Sequence, residues 1–190
     1  YYITEPVQND PSMSTRGAIE PTIIEIKDGR VLMVLRGSNG GENDPDCEIP
    51  SYRWYSVSND GARTFTEPKP WSYTDGELFF SPSSCSQLME HSNGKYYWLG
   101  NINDENSRAN MPRNPLYIVE VDPDSLLLIK DTACIVAKVE EGQAPDTTFS
   151  NFYAREESNT GDVLVYMTAF HQDPGNVFGA DAYEYRIRMD

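Results

Sequence analysis

Glu20 and Arg36 stand at opposite ends of the first β-hairpin this chain can form. Between them lie two apolar runs, Ile23-Ile24-Glu25-Ile26 and Val31-Leu32-Met33-Val34-Leu35, separated by Lys27-Asp28-Gly29-Arg30. Asp-Gly between apolar runs signals a tight hairpin turn. An antiparallel pair folded there sets the start of one strand beside the end of the next, so Glu20 and Arg36 aim at a common site. A carboxylate can move a proton, and a guanidinium stays charged and grips an anion through two parallel N–H donors. The competing account of the pair is a salt bridge at the rim of a sheet. His171, in Thr168-Ala169-Phe170-His171, ends a later strand and is a further candidate for the same site, although a lone His at a strand end is more often structural. Asp44, Asp46 and Glu48 offer oxygen atoms to a cation, but the ligand order of an EF-hand loop is absent. No metal and no cofactor are expected.

The elements that must position these residues recur along the chain. After a loop over 38–50, Tyr52-Arg53-Trp54-Tyr55-Ser56-Val57 reads as a third strand and closes on a turn at Ser58–Phe65. A second cycle reads as a strand over 84–90, a turn at Asn93-Gly94, a strand at Tyr96–Gly100, a polar loop and a strand at Leu116–Val121. Leu126–Ile129 with Ala133–Val136 completes that sheet. A third cycle runs through Phe149–Ala154, a turn at 159–162, Val163–Met167 and Tyr183–Arg188. The cycles start near 20, 82 and 149, a period of roughly 60–65 residues. About four strands at that period is the signature of propeller blades. The expected fold class is therefore all-β: a β-propeller of four-stranded antiparallel blades. Its three blades fall at approximately 17–75, 76–140 and 145–190, with the third one strand short. Tyr1-Tyr2-Ile3 is a candidate edge strand. An irregular β-sandwich is the alternative architecture.

The composition narrows the partners. A chain of 190 residues suits one domain, or part of a larger repetitive one. Its 13 Gly, 13 Pro and 12% aromatics favour turns and strands over helices. No apolar run approaches the length of a membrane-spanning helix. A net charge of −15 disfavours nucleic acid and anionic membranes, while leaving room for a small anionic ligand at a local arginine cluster. Cys47, Cys85 and Cys134 have no metal-ligand spacing, so one disulfide with a free thiol or three reduced thiols are the alternatives. Trp54, Trp71 and Trp98 read as packing residues, with sugar stacking at the rim as the other use of such a ring.

Ser58-Asn59-Asp60-Gly61-Ala62-Arg63-Thr64-Phe65 resembles the Asp box, Ser-x-Asp-x-Gly-x-Thr-Trp, of sialidases and related propellers. Ser58, Asp60 and Thr64 match, Phe65 stands for the Trp, and Ala62 replaces a Gly that here sits one place earlier. The segment from Glu20 to Arg36 is similar to the central segment of the sialidase-like superfamily. There a Glu assists the nucleophile, and an Arg sixteen residues later joins two others in binding the substrate carboxylate. Glu20 and Arg36 have that spacing. The resemblance offers Arg113, in Arg113-Asn114-Pro115-Leu116-Tyr117, as a further member of the triad, with Arg108 as runner-up; an Arg before Asn-Pro can also simply bond a turn. Where the nucleophilic Tyr would stand, before a Ser, the chain has Phe149-Ser150. Tyr153 is an unsuitable substitute, since four residues on keeps the face but moves it ~13 Å along a strand.

The resemblance covers essentially the whole chain and maps onto the later half of a six-bladed protein. It implies a glycoside hydrolase relative acting on glycans or acidic sugars, with Glu20 as acid/base or assisting carboxylate and Arg36 and Arg113 as the anion clamp. A sialidase that uses a tyrosine nucleophile is not implied. The alternatives are a non-catalytic glycan-binding or scaffold propeller and an incomplete fragment of a longer enzyme. Two copies paired about a two-fold axis are a further expectation, because pairing would close a ring and cover sheet edges. The family leans toward a secreted or periplasmic setting.

Overall fold

The structure is a computed structural model that describes residues 3–172, 175–176 and 179–189. Among these the chain forms three antiparallel sheets. The first comprises β1 (Ile19–Glu25), β2 (Val31–Arg36), β3 (Arg53–Ser58) and β4 (Lys69–Pro70), in sequence order. The second comprises β5 (Gln87–Glu90), β6 (Tyr96–Asn101), β7 (Leu116–Val121) and β8 (Cys134–Ala137). The third has β9 (Thr148–Glu156), β10 (Val163–Phe170) and β11 (Ala180–Ile187). A single 3-10 turn, Lys130–Thr132, is the only helical element among the described residues. Tyr1 and Tyr2 of the candidate edge strand lie outside the described residues, and Ile3 is exposed and in no strand.

The first strands of the three sheets lie side by side, β1 next to β5 and β5 next to β9. Side chains stitch them where no backbone ladder runs. The Leu88 N–H donates to the Thr22 hydroxyl at 2.8 Å. The Gln87 amide donates to the Ala154 carbonyl at 2.7 Å and accepts the Ala154 N–H at 2.8 Å. Two cores form where the sheets face each other. One joins Leu32 and Val34 to Trp71, Trp98, Val119, Leu126 and Leu128; the other joins Leu99, Leu116 and Ile118 to Phe149, Val163, Val165 and Met167. Trp71 meets Trp98 edge-on at 5.5 Å, a favoured aromatic geometry, and its indole N–H reaches the Leu126 carbonyl at 2.8 Å.

Leu126–Ile129 is not the strand its apolar character suggests. Leu126 takes φ +63° and its N–H folds back to the Asp122 carbonyl, so the run is a buried turn packed beneath Trp71. A short apolar run without alternation has no period to separate the two outcomes. The first sheet's fourth strand is instead Lys69–Pro70, in a proline-flanked stretch that carries no strand signal. The turn after β3 is organised by Asp60. Its carboxylate accepts the N–H groups of Arg63 and Thr64 at 3.0 and 2.9 Å and the hydroxyls of Ser58 and Thr64 at 2.8 and 2.7 Å. Those donors, the Thr64 backbone first, hold Asp60 well below the ordinary carboxylate range.

Candidate functional site

Alternating strand direction brings the starts of β1, β3, β5, β7 and β9 and the ends of β2 and β10 to one edge of the sheets, and the candidate residues lie there. Glu20 occupies a β-bulge. Ile19 pairs with Arg36 and Thr22 with Val34, so Glu20 and Pro21 together oppose one residue of β2. Glu20 has φ +50°, a conformation costing about 1–3 kcal/mol outside glycine. Bulges re-aim side chains, and here the carboxylate meets Arg36 Nη1 at 2.7 Å. The Arg36 side chain is 8% exposed and the Glu20 side chain 46%. Gly37, next in the chain, lets Trp54 close over the end of β2: a Cβ on Gly37 would lie 2.6 Å from Trp54 Nε1.

Sequence reasoning missed Arg53. It is Arg36's direct neighbour across the β2–β3 ladder and is 1% exposed. Its guanidinium donates to the Ser84 carbonyl at 2.9 Å and the Ser81 hydroxyl at 2.7 Å, and lies over the Trp98 ring at 5.7 Å. Burial pushes its pKa down to about 10, with the Arg36 charge acting in the same direction and Cys85 and Glu20 opposing; it remains a cation at neutral pH. Arg113 donates to the Ser83 carbonyl at 3.0 Å and the Asn110 carbonyl at 3.1 Å. It is held below its ordinary value by partial burial first and by Arg36 second. The Ser83 hydroxyl bonds the Gly37 carbonyl at 3.0 Å, so the short segment Ser83–Cys85 ties all three arginines together. The one carboxylate paired with any of them, among the described residues, is Glu20. Arg36 Nε and Arg53 Nε are buried without a hydrogen-bond partner.

The third sheet repeats the device seen at Glu20. In β9 a bulge sets Asn151 and Phe152 opposite Met167, with Asn151 at φ +55°. This corrects the expectation for Tyr153. The extra residue switches the alternation, so Phe149 is 2% exposed in the core while Tyr153 is 62% exposed on the other face. The Phe149 N–H bonds the Arg113 carbonyl at 2.8 Å. Cys85, at the corresponding end of the second sheet, accepts the Asn151 N–H on Sγ at 3.1 Å. His171 (φ +62°) and Arg113 line one cleft of about 410 Å³ with Asn110, Thr148, Asn151 and Phe170. Arg108 lines a separate cleft of about 800 Å³ beside Asp104, Glu105 and Tyr117. The Asp44 carboxylate accepts the N–H groups of Gly40, Glu48 and Ile49, so it serves the loop backbone. All three cysteines are free.

No signal for Arg53 was available from periodicity, because the loop between Arg36 and Arg53 hides the register that pairs them. Cys85 and Asn151 come together across sheets, which no local pattern encodes.

No family model matches the sequence, and no curated protein matches it. Solved structures do resemble it. An α-L-arabinanase of Penicillium chrysogenum, complexed with arabinobiose, superposes with TM-score 0.60 at 12% identity over 96% of this chain and 49% of that one. The NanB sialidase of Streptococcus pneumoniae gives TM-score 0.56 at 16% identity, covering 90% and 23% respectively. An ulvan lyase of polysaccharide lyase family PL25 gives 0.55 at 12%, covering 94% and 43%. The chain thus spans between about a quarter and a half of the length of these structures. At such identities the likeness concerns the fold alone. The neighbours are themselves glycan-acting enzymes, and the fold they share with this chain is all-β.

Proposed function

We propose that this chain is part of a sialidase-like β-propeller that engages acidic glycans, with the three sheets as blades and the turn at Ser58–Phe65 as an Asp box. The observation that carries this reading is the arginine cluster. Three guanidinium groups share one hub and one paired carboxylate, in a protein whose net charge is −15. Clustered, poorly compensated guanidinium groups are matched to a carboxylate ligand. Arg36 and Arg113 are the proposed clamp, Arg53 supports them from below, and His171 contributes from the Arg113 cleft. Glu20, strained and half-exposed beside Arg36, is the proposed acid/base or assisting carboxylate.

A second reading, glycan binding without turnover, is favoured by Phe149, which is buried and has no hydroxyl to act as nucleophile. A panel of aryl glycosides run beside a glycan array separates the two. Turnover abolished by Glu20→Gln supports an enzyme, and binding of carboxylated glycans without turnover supports the binding module. Absence of both for carboxylated sugars removes the acidic-glycan reading. Two copies closing a six-bladed ring is the accompanying assembly proposal.

A further inference from the structure

We infer that Cys85 is a covalent modification site inside the arginine cluster, a thiol that reacts selectively with electrophiles bearing a carboxylate. The inference rests on the reading of the cluster as an anion site and adds to it a nucleophilic sulfur.

Four observations place the thiol there. Arg53 and Arg113 are pinned to the carbonyls of Ser84 and Ser83, the two residues directly before Cys85. Cys85 is half-buried, which leaves it reachable. Its Sγ lies against Ser150 Oγ at 3.8 Å and accepts the Asn151 N–H at 3.1 Å, alongside the chain that follows Phe149. Arg36 and Arg53, both more than nine-tenths buried, each keep an unpartnered Nε in this cluster, a deficit that an incoming anion can offset. Sulfur thus stands beside the strand position where Phe149, turned into the core, offers no nucleophile.

The arginines act by concentrating the reagent. A site lined by one sign of charge raises the local concentration of counter-ions by about 10- to 1,000-fold. A carboxylate drawn to the guanidinium groups carries its electrophilic carbon to Cys85. With iodoacetate, the sulfur attacks the methylene carbon, the C–S bond forms as the C–I bond breaks, iodide leaves and the thiol proton passes to water. No oxidant or further reactant enters.

The test uses the native protein with iodoacetate and, in parallel, neutral iodoacetamide, reading each cysteine by peptide mass spectrometry. Cys47, which lies among Asp44, Asp46 and Glu48, and exposed Cys134 are internal references. The expected result is an iodoacetate-to-iodoacetamide rate ratio for Cys85 about tenfold or more above that of either reference. The ratio should fall several-fold in Arg113→Gln and in 1 M salt, where screening shortens to about 3 Å. A ratio equal to the references, or one indifferent to Arg113→Gln and salt, overturns the inference. Intact near-UV circular dichroism of the Arg113→Gln protein guards against misfolding, and salt titration of the native protein gives the same readout with no variant at all. Loss of this selectivity with retained binding of carboxylated glycans would sink the cysteine proposal alone. Loss of glycan binding would sink the acidic-glycan reading beneath it.

Discussion

At the scale of single residues, the three arginines are not equivalent. Arg53 is sealed into the sheets and satisfies the Ser84 carbonyl and Ser81 hydroxyl. Arg53→Met should lower stability by about 1–3 kcal/mol, because those acceptors lose their donor. Chemical denaturation measures it, and an unchanged midpoint would show that the hub holds without Arg53. Arg113 is only partly buried, and one of its bonds is to an exposed turn. Arg113→Gln should leave the melting temperature nearly unchanged and weaken binding of carboxylated sugars about tenfold or more, the scale of a lost charge-assisted hydrogen bond. Equal affinity in calorimetry would remove Arg113 from the clamp. Glu20 and Arg36 are recognisable in the sequence because one hairpin carries both. Arg53 and Cys85 are not, because their partners arrive from other loops.

At the scale of elements, two bulges and one turn shape the site's edge. Gly37 follows Arg36 at a point where a Cβ would meet the Tyr52 carbonyl at 2.5 Å as well as the Trp54 ring. Gly37→Ala should therefore destabilise the protein and loosen the β2–β3 ladder nearest Arg36, read as faster amide exchange at Arg36 and Trp54. The turn at Asp60 gives a pH signature. Its carboxylate is held below the ordinary range by donors from Thr64 and Ser58, so the folded state prefers the ionised form. The resulting stability is fully present above the ordinary carboxylate pKa of about 4 and is lost as pH falls through the lower folded value. Melting curves of the native protein and Asp60→Asn should differ by a constant amount above about pH 5 and converge in acid. A gap that persists unchanged in acid would show that the Asp60 charge contributes nothing.

At the scale of the whole molecule, each sheet covers the face of the next, and the outer faces of the first and third sheets are where a closed ring would continue. On the proposed assembly, sedimentation should find a species of about twice 21.5 kDa. A stable species of 21.5 kDa across the micromolar range removes it. The acidic surface bears on the ligand as well. With a net charge of −15, an anionic glycan approaches against the general field and depends on the local arginines, so its association should speed up as salt rises to about 0.15 M. Stopped-flow rates that fall steeply over the same range would instead mean that the local field reaches far into solvent.

The sequence alone determined the all-β class, most strand positions and the hairpin that seats Glu20 beside Arg36, because these depend on period-two alternation and on turns such as Asp28-Gly29. It misread Leu126–Ile129, where an apolar run turns instead of extending, and Tyr153, where a bulge at Asn151 reverses the alternation. Tertiary structure alone decided that Arg53 stands against Arg36, that Ser83–Cys85 binds two arginines at once, and that Cys85 meets Asn151. Those contacts join residues separated by loops and by whole sheets, and a local pattern carries no record of the register at which distant segments meet.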